Sequence, residues 1–189
     1  MRTIATIAAS LMVGIAIGAG GVTAWSALSD NHLASQPYAD QQGRTISSLS
    51  AADVEQLRAG QGWGLAKPAE FNGYPGPAHV LEFTEQLALT ENQLRAVEAS
   101  FQTMQAQAAT LGSALVEAEA ALDSAFVDRD VTPDSLTTLL TRAEELRADL
   151  RETHLTAHLE VTPLLRDEQK TRYQELRGYG DGHSGHSGH

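Results

Sequence analysis

Apolar residues recur at alternating steps of three and four positions in two long stretches of the chain. The first repeat is formed by Leu94, Val97, Phe101, Met104, Ala108, Leu111, Leu115, Ala118 and Leu122. These steps place the side chains on one face of an α-helix, and the seven-residue repeat is typical of helices that pack along each other. Thr90 and Gln93 precede the repeat with the spacing of a capping box. The pattern predicts a helix over residues 91–127.

The second stretch repeats the pattern after a polar break, "DRDVTPDS". Its stripe is formed by Leu136, Leu139, Leu140, Ala143, Leu146, Leu150, His154, Ala157 and Val161. Thr132 is suited to the N-cap and Pro133 to the first turn, whereas Pro163 ends or kinks the helix. The pattern predicts a helix over residues 133–161. Because the connection is short and each helix has one apolar stripe, we expect an antiparallel hairpin.

Shorter helices are predicted on both sides of this hairpin. Ser50 as N-cap and Gly60 as terminator indicate a helix over residues 51–59, and a proline at position 77 suits the start of another. The segment "RDEQKTRYQELRGY" indicates one more. The fold class is therefore all-α, with a long antiparallel helical hairpin and short flanking helices. A lone hairpin buries little surface, so the flanking helices or a second subunit must cover it, and we expect a homodimer.

The N-terminus carries an export signal. Between Arg2 and Asp30 there is no charged residue, and small residues end at Ala24. Residues 1–24 are predicted to be a signal peptide or a signal anchor. The Gly- and Ala-rich composition favours cleavage, although the uncharged run exceeds the roughly 20 residues that a bilayer requires. Either outcome places the rest of the chain outside the cytoplasm.

The rest of the chain divides into three parts. Residues 25–49 are polar without a sustained period and are predicted to be a linker, and residues 50–178 are predicted to form the helical domain. Residues 179–189 end in "GDGHSGHSGH" and are predicted to be a flexible His-rich tail.

Two similar short motifs, here called boxes, flank the pair of predicted long helices. They are "LTENQ" at residues 89–93 and "LRDEQ" at residues 165–169. Together with the export signal, the hairpin and "GYPGPAHVLEFTEQLALTENQ", they resemble the periplasmic LTxxQ proteins of the Spy/CpxP type and their heavy-metal-resistance relatives, the CnrX/ZraP-like metal sensors. The resemblance covers roughly residues 45–180, and Arg166 replaces the Thr of the second box. It implies a periplasmic location and a role in metal resistance or the envelope stress response.

Composition excludes several classes of partner and chemistry. The net charge of −11 makes the chain a poor binder of nucleic acid. The absence of cysteine excludes disulfides, thiolate metal sites and thiol nucleophiles. A zinc-protease helix needs Glu directly after its first His, but Leu155 follows His154. We therefore expect a binding protein and not an enzyme.

His154 and His158 are four residues apart and share one helical face. In an antiparallel hairpin they lie level with Gln105 and Phe101, and a helix starting at Pro77 brings His79 to the same level. We predict a metal site formed by His79, His154, His158 and Glu82, with a weaker site in the tail at His183, His186 and His189. Imidazole and carboxylate suit Zn, Cu, Ni or Co. The alternative is that the helical histidines are core residues bonded to carbonyls or carboxylates.

Two functions follow from these features. The first is a periplasmic metal-binding protein that senses or buffers a divalent metal. The alternative is an ATP-independent periplasmic chaperone (holdase) or stress-pathway modulator that binds unfolded envelope proteins through an apolar face. Partners would be a second copy of the chain and either such unfolded proteins or a membrane-bound regulator.

Overall fold

The computed structural model describes residue 38 and residues 41–179. Helix accounts for 69% of these residues, and none of them belongs to a strand, which confirms the all-α class. The helices are α1 (Ala51–Arg58), α2 (Lys67–Glu70), α3 (Pro77–Glu82), α4 (Glu91–Val127), α5 (Pro133–Val161) and α6 (Asp167–Leu176), with a 3₁₀ turn at Thr162–Leu164.

Both long helices begin and end where the sequence predicts. Thr90 and Gln93 form the predicted capping box at the start of α4, since the Gln93 N–H donates to Thr90 Oγ1 at 3.3 Å and the Thr90 N–H donates to Gln93 Oε1 at 3.0 Å. Thr132 caps α5 in the same way, and Pro133 occupies its first turn. Pro163 lies in the 3₁₀ turn that follows α5.

The two long helices are joined side by side by polar contacts at separate levels. Ser100 Oγ donates to Glu160 Oε2 at 3.1 Å, and Arg147 Nη2 donates to Glu119 Oε1 at 2.6 Å. The apolar stripes lie between the helices and α1, where Leu57, Leu115 and Leu150 are at most 1% exposed.

Gly112 explains how α1 approaches α4 so closely. A Cβ atom at this position would lie 2.1 Å from the carbonyl oxygen of Leu57. Helix α4 continues without a break through Gly112, although Gly costs about 1 kcal/mol relative to Ala inside a helix. Gly112 therefore allows α1 to pack closely against α4, because only a residue without a side chain leaves room for the end of α1.

A second core joins α3, the start of α4, the end of α5 and α6. Val80, Val97, Val161 and Tyr173 are each completely buried in it. Buried aliphatic side chains of this kind contribute about 1.5–3 kcal/mol each relative to exposure. This core fixes α3 and α6 against the long helices.

The predicted linker and the predicted ends are only partly described. Ile46 and Leu49 fall within the predicted linker, yet they are 7% and 3% exposed in the core beside α1. The compact unit begins at Gly43, so packing starts before residue 50. The predicted signal segment and, after Tyr179, the predicted His-rich tail lie outside the described residues. Among the residues described, no helix has the length and apolarity to cross a membrane.

Candidate functional site

A cavity of about 580 Å³ lies beside the second half of α5. Its walls come from α2, α3, both long helices and the loop that follows α1. The apolar part of the wall is formed by Trp63, Phe71, Phe101 and Met104. The polar side chains on the wall include His79, His154, His158, Glu70 and Arg177.

His158 is held in one orientation. Its Nδ1 atom donates a hydrogen bond to the carbonyl oxygen of Tyr74 at 2.7 Å. Gly76 packs against the ring, since a Cβ atom there would lie 2.6 Å from His158 Cε1. A carbonyl can only accept, so the proton is on Nδ1 and the lone pair of the neutral ring is on Nε2. The neighbouring loop thus selects the tautomer.

His154 lies one turn before His158 and is 3% exposed. Its Nε2 atom is buried and has no hydrogen-bond partner in the described part of the chain. Burial is the main cause that lowers the pKa of His154, the nearby His158 lowers it further, and a hydrogen bond with the backbone of Gln61 opposes the shift. The ring is therefore neutral at pH 7. Its Nε2 atom is unusual, because most buried polar atoms in proteins have a hydrogen-bond partner.

His79 is less buried than the other two histidines, with 38% of its side chain exposed. Its Nδ1 atom lies 3.6 Å from Glu70 Oε1. Burial is the main cause that lowers the pKa of His79, and the Arg177 charge adds to it, while Glu70 and Glu82 act in the opposite direction. Glu82 itself is exposed on α3 and is not part of the cavity wall.

Glu70 is the carboxylate at the centre of this region, and sequence reasoning missed it. It is 7% exposed and accepts hydrogen bonds from Tyr173 Oη at 2.7 Å and Arg177 Nε at 2.8 Å. Its Oε2 atom lies 3.9 Å from His158 Nδ1. Burial and the bond to Glu70 raise the pKa of Tyr173, so the phenol stays protonated as a donor.

The structure brings the three predicted helical histidines to one cavity. His158 is the common neighbour, because its proximity lowers the pKa of both His79 and His154. Within residues 41–179, however, no three His, Asp or Glu side chains are placed closely enough to hold an ion as they stand. The tail residues His183, His186 and His189 lie outside the described residues, so the weak site proposed for them stays a prediction.

Two residues of α4 line the cavity beside the histidines of α5. Phe101 and Gln105 line it together with His158 and His154. Glu70 was not predicted because its partners at positions 173 and 177 are more than one hundred residues away, and a four-residue helix has no periodic pattern. A proline in the first turn at position 68 was the available sign that "KPAE" forms a helix.

Comparison with known proteins gives no relative. No family model, curated protein or solved structure matches the chain.

Proposed function

We propose that this chain is an exported, periplasmic metal-binding protein of the heavy-metal-resistance and envelope-stress type, built on an antiparallel helical hairpin. It would sense or buffer a divalent ion such as Zn, Cu, Ni or Co. The observation that carries the proposal is the buried and unpartnered Nε2 atom of His154, a residue that lines one cavity together with His79 and His158.

The α5 pair supplies two imidazoles with suitable lone pairs. Histidine ligands commonly donate their other N–H to a backbone carbonyl, which fixes the ring and raises its basicity. The bond from His158 Nδ1 to Tyr74 has this form and leaves Nε2 free for an ion. His154 lies at i−4 on the same helical face, so both rings project from one rigid element.

Glu70 and His79 supply the second half of the donor set. Ligand bonds of roughly 2.0–2.2 Å place neighbouring donor atoms of one ion about 3–3.5 Å apart. The carboxylate of Glu70 lies 3.6 Å from His79 Nδ1, so modest movement of these two side chains would bring their donor atoms within that range. His79 has the space for this movement because it is partly exposed.

Calorimetry with Zn²⁺ and Ni²⁺ on the chain without residues 181–189 tests the proposal. His154→Ala, His158→Ala and His79→Ala should each weaken binding by at least about tenfold, which is about 1.4 kcal/mol, because each removes a bond to the ion. Thr156→Ala is the matched control, since Thr156 is exposed on the same helix. Unchanged tight binding in all three histidine variants would leave these residues as core histidines.

The holdase is the second candidate function, and exposed apolar side chains favour it. Phe71 is 50% exposed at the cavity, and Leu159 is 60% exposed on α5. Such surface is available to an unfolded envelope protein without ATP. Equimolar protein should then suppress the aggregation of an unfolded client without metal. Failure to suppress aggregation at excess protein would remove this candidate.

A further inference from the structure

The cavity has the size and the wall of a site for a small organic molecule. Its volume of about 580 Å³ falls within the roughly 300–1,000 Å³ that is usual for such sites. Three aromatic rings and one thioether form its apolar wall: Trp63, Phe71, Phe101 and Met104. Aromatic and thioether side chains pack well against flat rings, so the wall favours an aromatic ligand.

Two of these rings are held in place by their neighbours. Trp63 Nε1 donates a hydrogen bond to Asp53 at 2.8 Å, and the guanidinium of Arg147 lies 5.2 Å from the centre of the Trp63 ring. Phe71 meets Tyr179 edge to face, with ring centres 5.5 Å apart. A wall that is already ordered loses little conformational freedom on binding. Phe71 is still 50% exposed, so a ring placed against it would remove apolar surface from water.

The charged side chains on the wall leave one positive charge without a counter-charge. Glu70 is the only carboxylate among the described residues of the wall, and it accepts a hydrogen bond from Arg177 Nε at 2.8 Å. These two charges therefore offset each other. Lys67 also lines the cavity, yet no ion pair of the described chain includes it. The histidines on the wall can only add positive charge, so the cavity favours an anion.

The ammonium group of Lys67 lies at the edge of the cavity. Its side chain runs beside Gly64, which also lines the cavity, because a Cβ atom at Gly64 would lie 3.2 Å from Lys67 Cε and 3.5 Å from Lys67 Nζ. Lys67 is exposed on α2. A carboxylate bound there can accept a charge-assisted hydrogen bond and stay partly hydrated, which avoids the cost of burying it completely.

We infer that the cavity binds a small aromatic acid, whose ring lies against Phe71 and Phe101 and whose carboxylate accepts a hydrogen bond from Lys67 Nζ. The inference goes beyond the proposed function, because it requires no metal ion and none of the histidines as a ligand. It adds a second class of molecule, an organic anion, to those that the protein binds.

Calorimetry in buffer with EDTA tests the inference with two probes that share one ring system, 2-naphthoate and the uncharged 2-naphthylmethanol. The acid should bind at least about tenfold more tightly than the alcohol, because only the acid carries a charge for Lys67. No binding of 2-naphthoate overturns the inference. Equal affinity of the two probes overturns the acidic class of ligand. Since EDTA removes divalent ions, either failure is separate from a failure of the proposed metal site.

A pair of lysine variants assigns the charge. Lys67→Gln should reduce the affinity for 2-naphthoate to that for the alcohol. Lys170→Gln is the matched control, because Lys170 is the other lysine of the chain and lies outside the cavity wall. Both variants change the net charge equally. Equal losses in the two variants would contradict a specific contact with Lys67.

A pair of glutamine variants places the ring in the cavity. Gln105 is exposed on α4 and lines the cavity, so Gln105→Trp adds bulk there without changing the core. It should weaken the binding of 2-naphthoate by at least about tenfold. Gln102→Trp should leave the affinity unchanged, because Gln102 is exposed on the same helix outside the cavity wall. Unchanged affinity in Gln105→Trp would contradict this location.

Discussion

Gln93 and Gln169 form a reciprocal amide pair across 76 residues of sequence. Gln93 Nε2 donates to Gln169 Oε1 at 2.8 Å, and Gln169 Nε2 donates to Gln93 Oε1 at 3.2 Å. Each amide also accepts from the backbone N–H three residues earlier, at Thr90 and Arg166. The two similar boxes thus cap their own helices and join the starts of α4 and α6 to each other.

This pair should show energetic coupling. Gln169 is 3% exposed and also donates to the carbonyl of Leu87 at 3.0 Å, so Gln169→Ala removes several buried bonds and should lower the free energy of unfolding by about 2–3 kcal/mol. With Gln93→Ala, chemical denaturation in a double-mutant cycle should give a coupling of about 1 kcal/mol. Strict additivity would contradict the pair.

Gly112→Ala should destabilise the protein in spite of the better helix propensity of Ala. The new methyl group meets the Leu57 carbonyl, and overpacking of this kind costs about 1–3 kcal/mol, which exceeds the gain of about 1 kcal/mol in propensity. Thermal unfolding measures the difference. Gly43→Ala is the control, because nothing lies within 4 Å of a Cβ atom there. A more stable Gly112→Ala variant would contradict the close approach of α1.

Tyr173→Phe should remove the buried hydrogen bond to Glu70 and lower the free energy of unfolding by about 1.5–3 kcal/mol, the range for bonds to charged groups. Tyr74→Phe should have little effect, since Tyr74 is 41% exposed. Urea denaturation of the two variants compares a buried phenol with an exposed one. Equal stability of both variants would mean that the phenol hydroxyl contributes nothing to the folded state.

Stability should fall with pH below about 6.5 in metal-free buffer. The pKa values of His79 and His154 are lowered in the folded chain, so the unfolded chain binds more protons between those values and 6.5. The free energy of unfolding therefore rises with pH through this window and is fully recovered above it.

Denaturant midpoints at pH 5 and pH 7 measure this effect, and His154→Gln should reduce the difference because a neutral amide does not titrate. Asp53 does not contribute to the difference between pH 5 and pH 7, since its pKa is lowered from 3.8 and it titrates below this range. An unchanged pH dependence in His154→Gln would show that the imidazole of His154 is equally protonated in the folded and the unfolded chain.

The tail should bind metal weakly and independently of the cavity. Deleting residues 181–189 removes His183, His186 and His189, and should lower the number of weakly bound ions while the tightest site is retained. A flexible segment has to be ordered on binding, which weakens it relative to side chains on a fixed helix. Native mass spectrometry counts the ions. Loss of the tightest site on deletion would move that site to the tail.

Local signals were sufficient for the two long helices. Thr90 with Gln93 and Thr132 with Pro133 define the starts of α4 and α5, because caps and first-turn residues act within a few positions of one another. The three- and four-residue steps define the buried faces for the same reason, since periodicity repeats locally. The placement of His154 and His158 on one face followed directly.

The surroundings of those histidines depended on tertiary structure. Glu70 becomes buried only when Tyr173 and Arg177, from the far end of the chain, donate to its carboxylate. The tautomer of His158 depends on a loop carbonyl at Tyr74, and the space for its ring depends on Gly76. The sequence by itself determined which residues share a helical face. Tertiary packing alone decided which carboxylate, carbonyl and apolar wall they meet, because these contacts join segments that no local repeat connects.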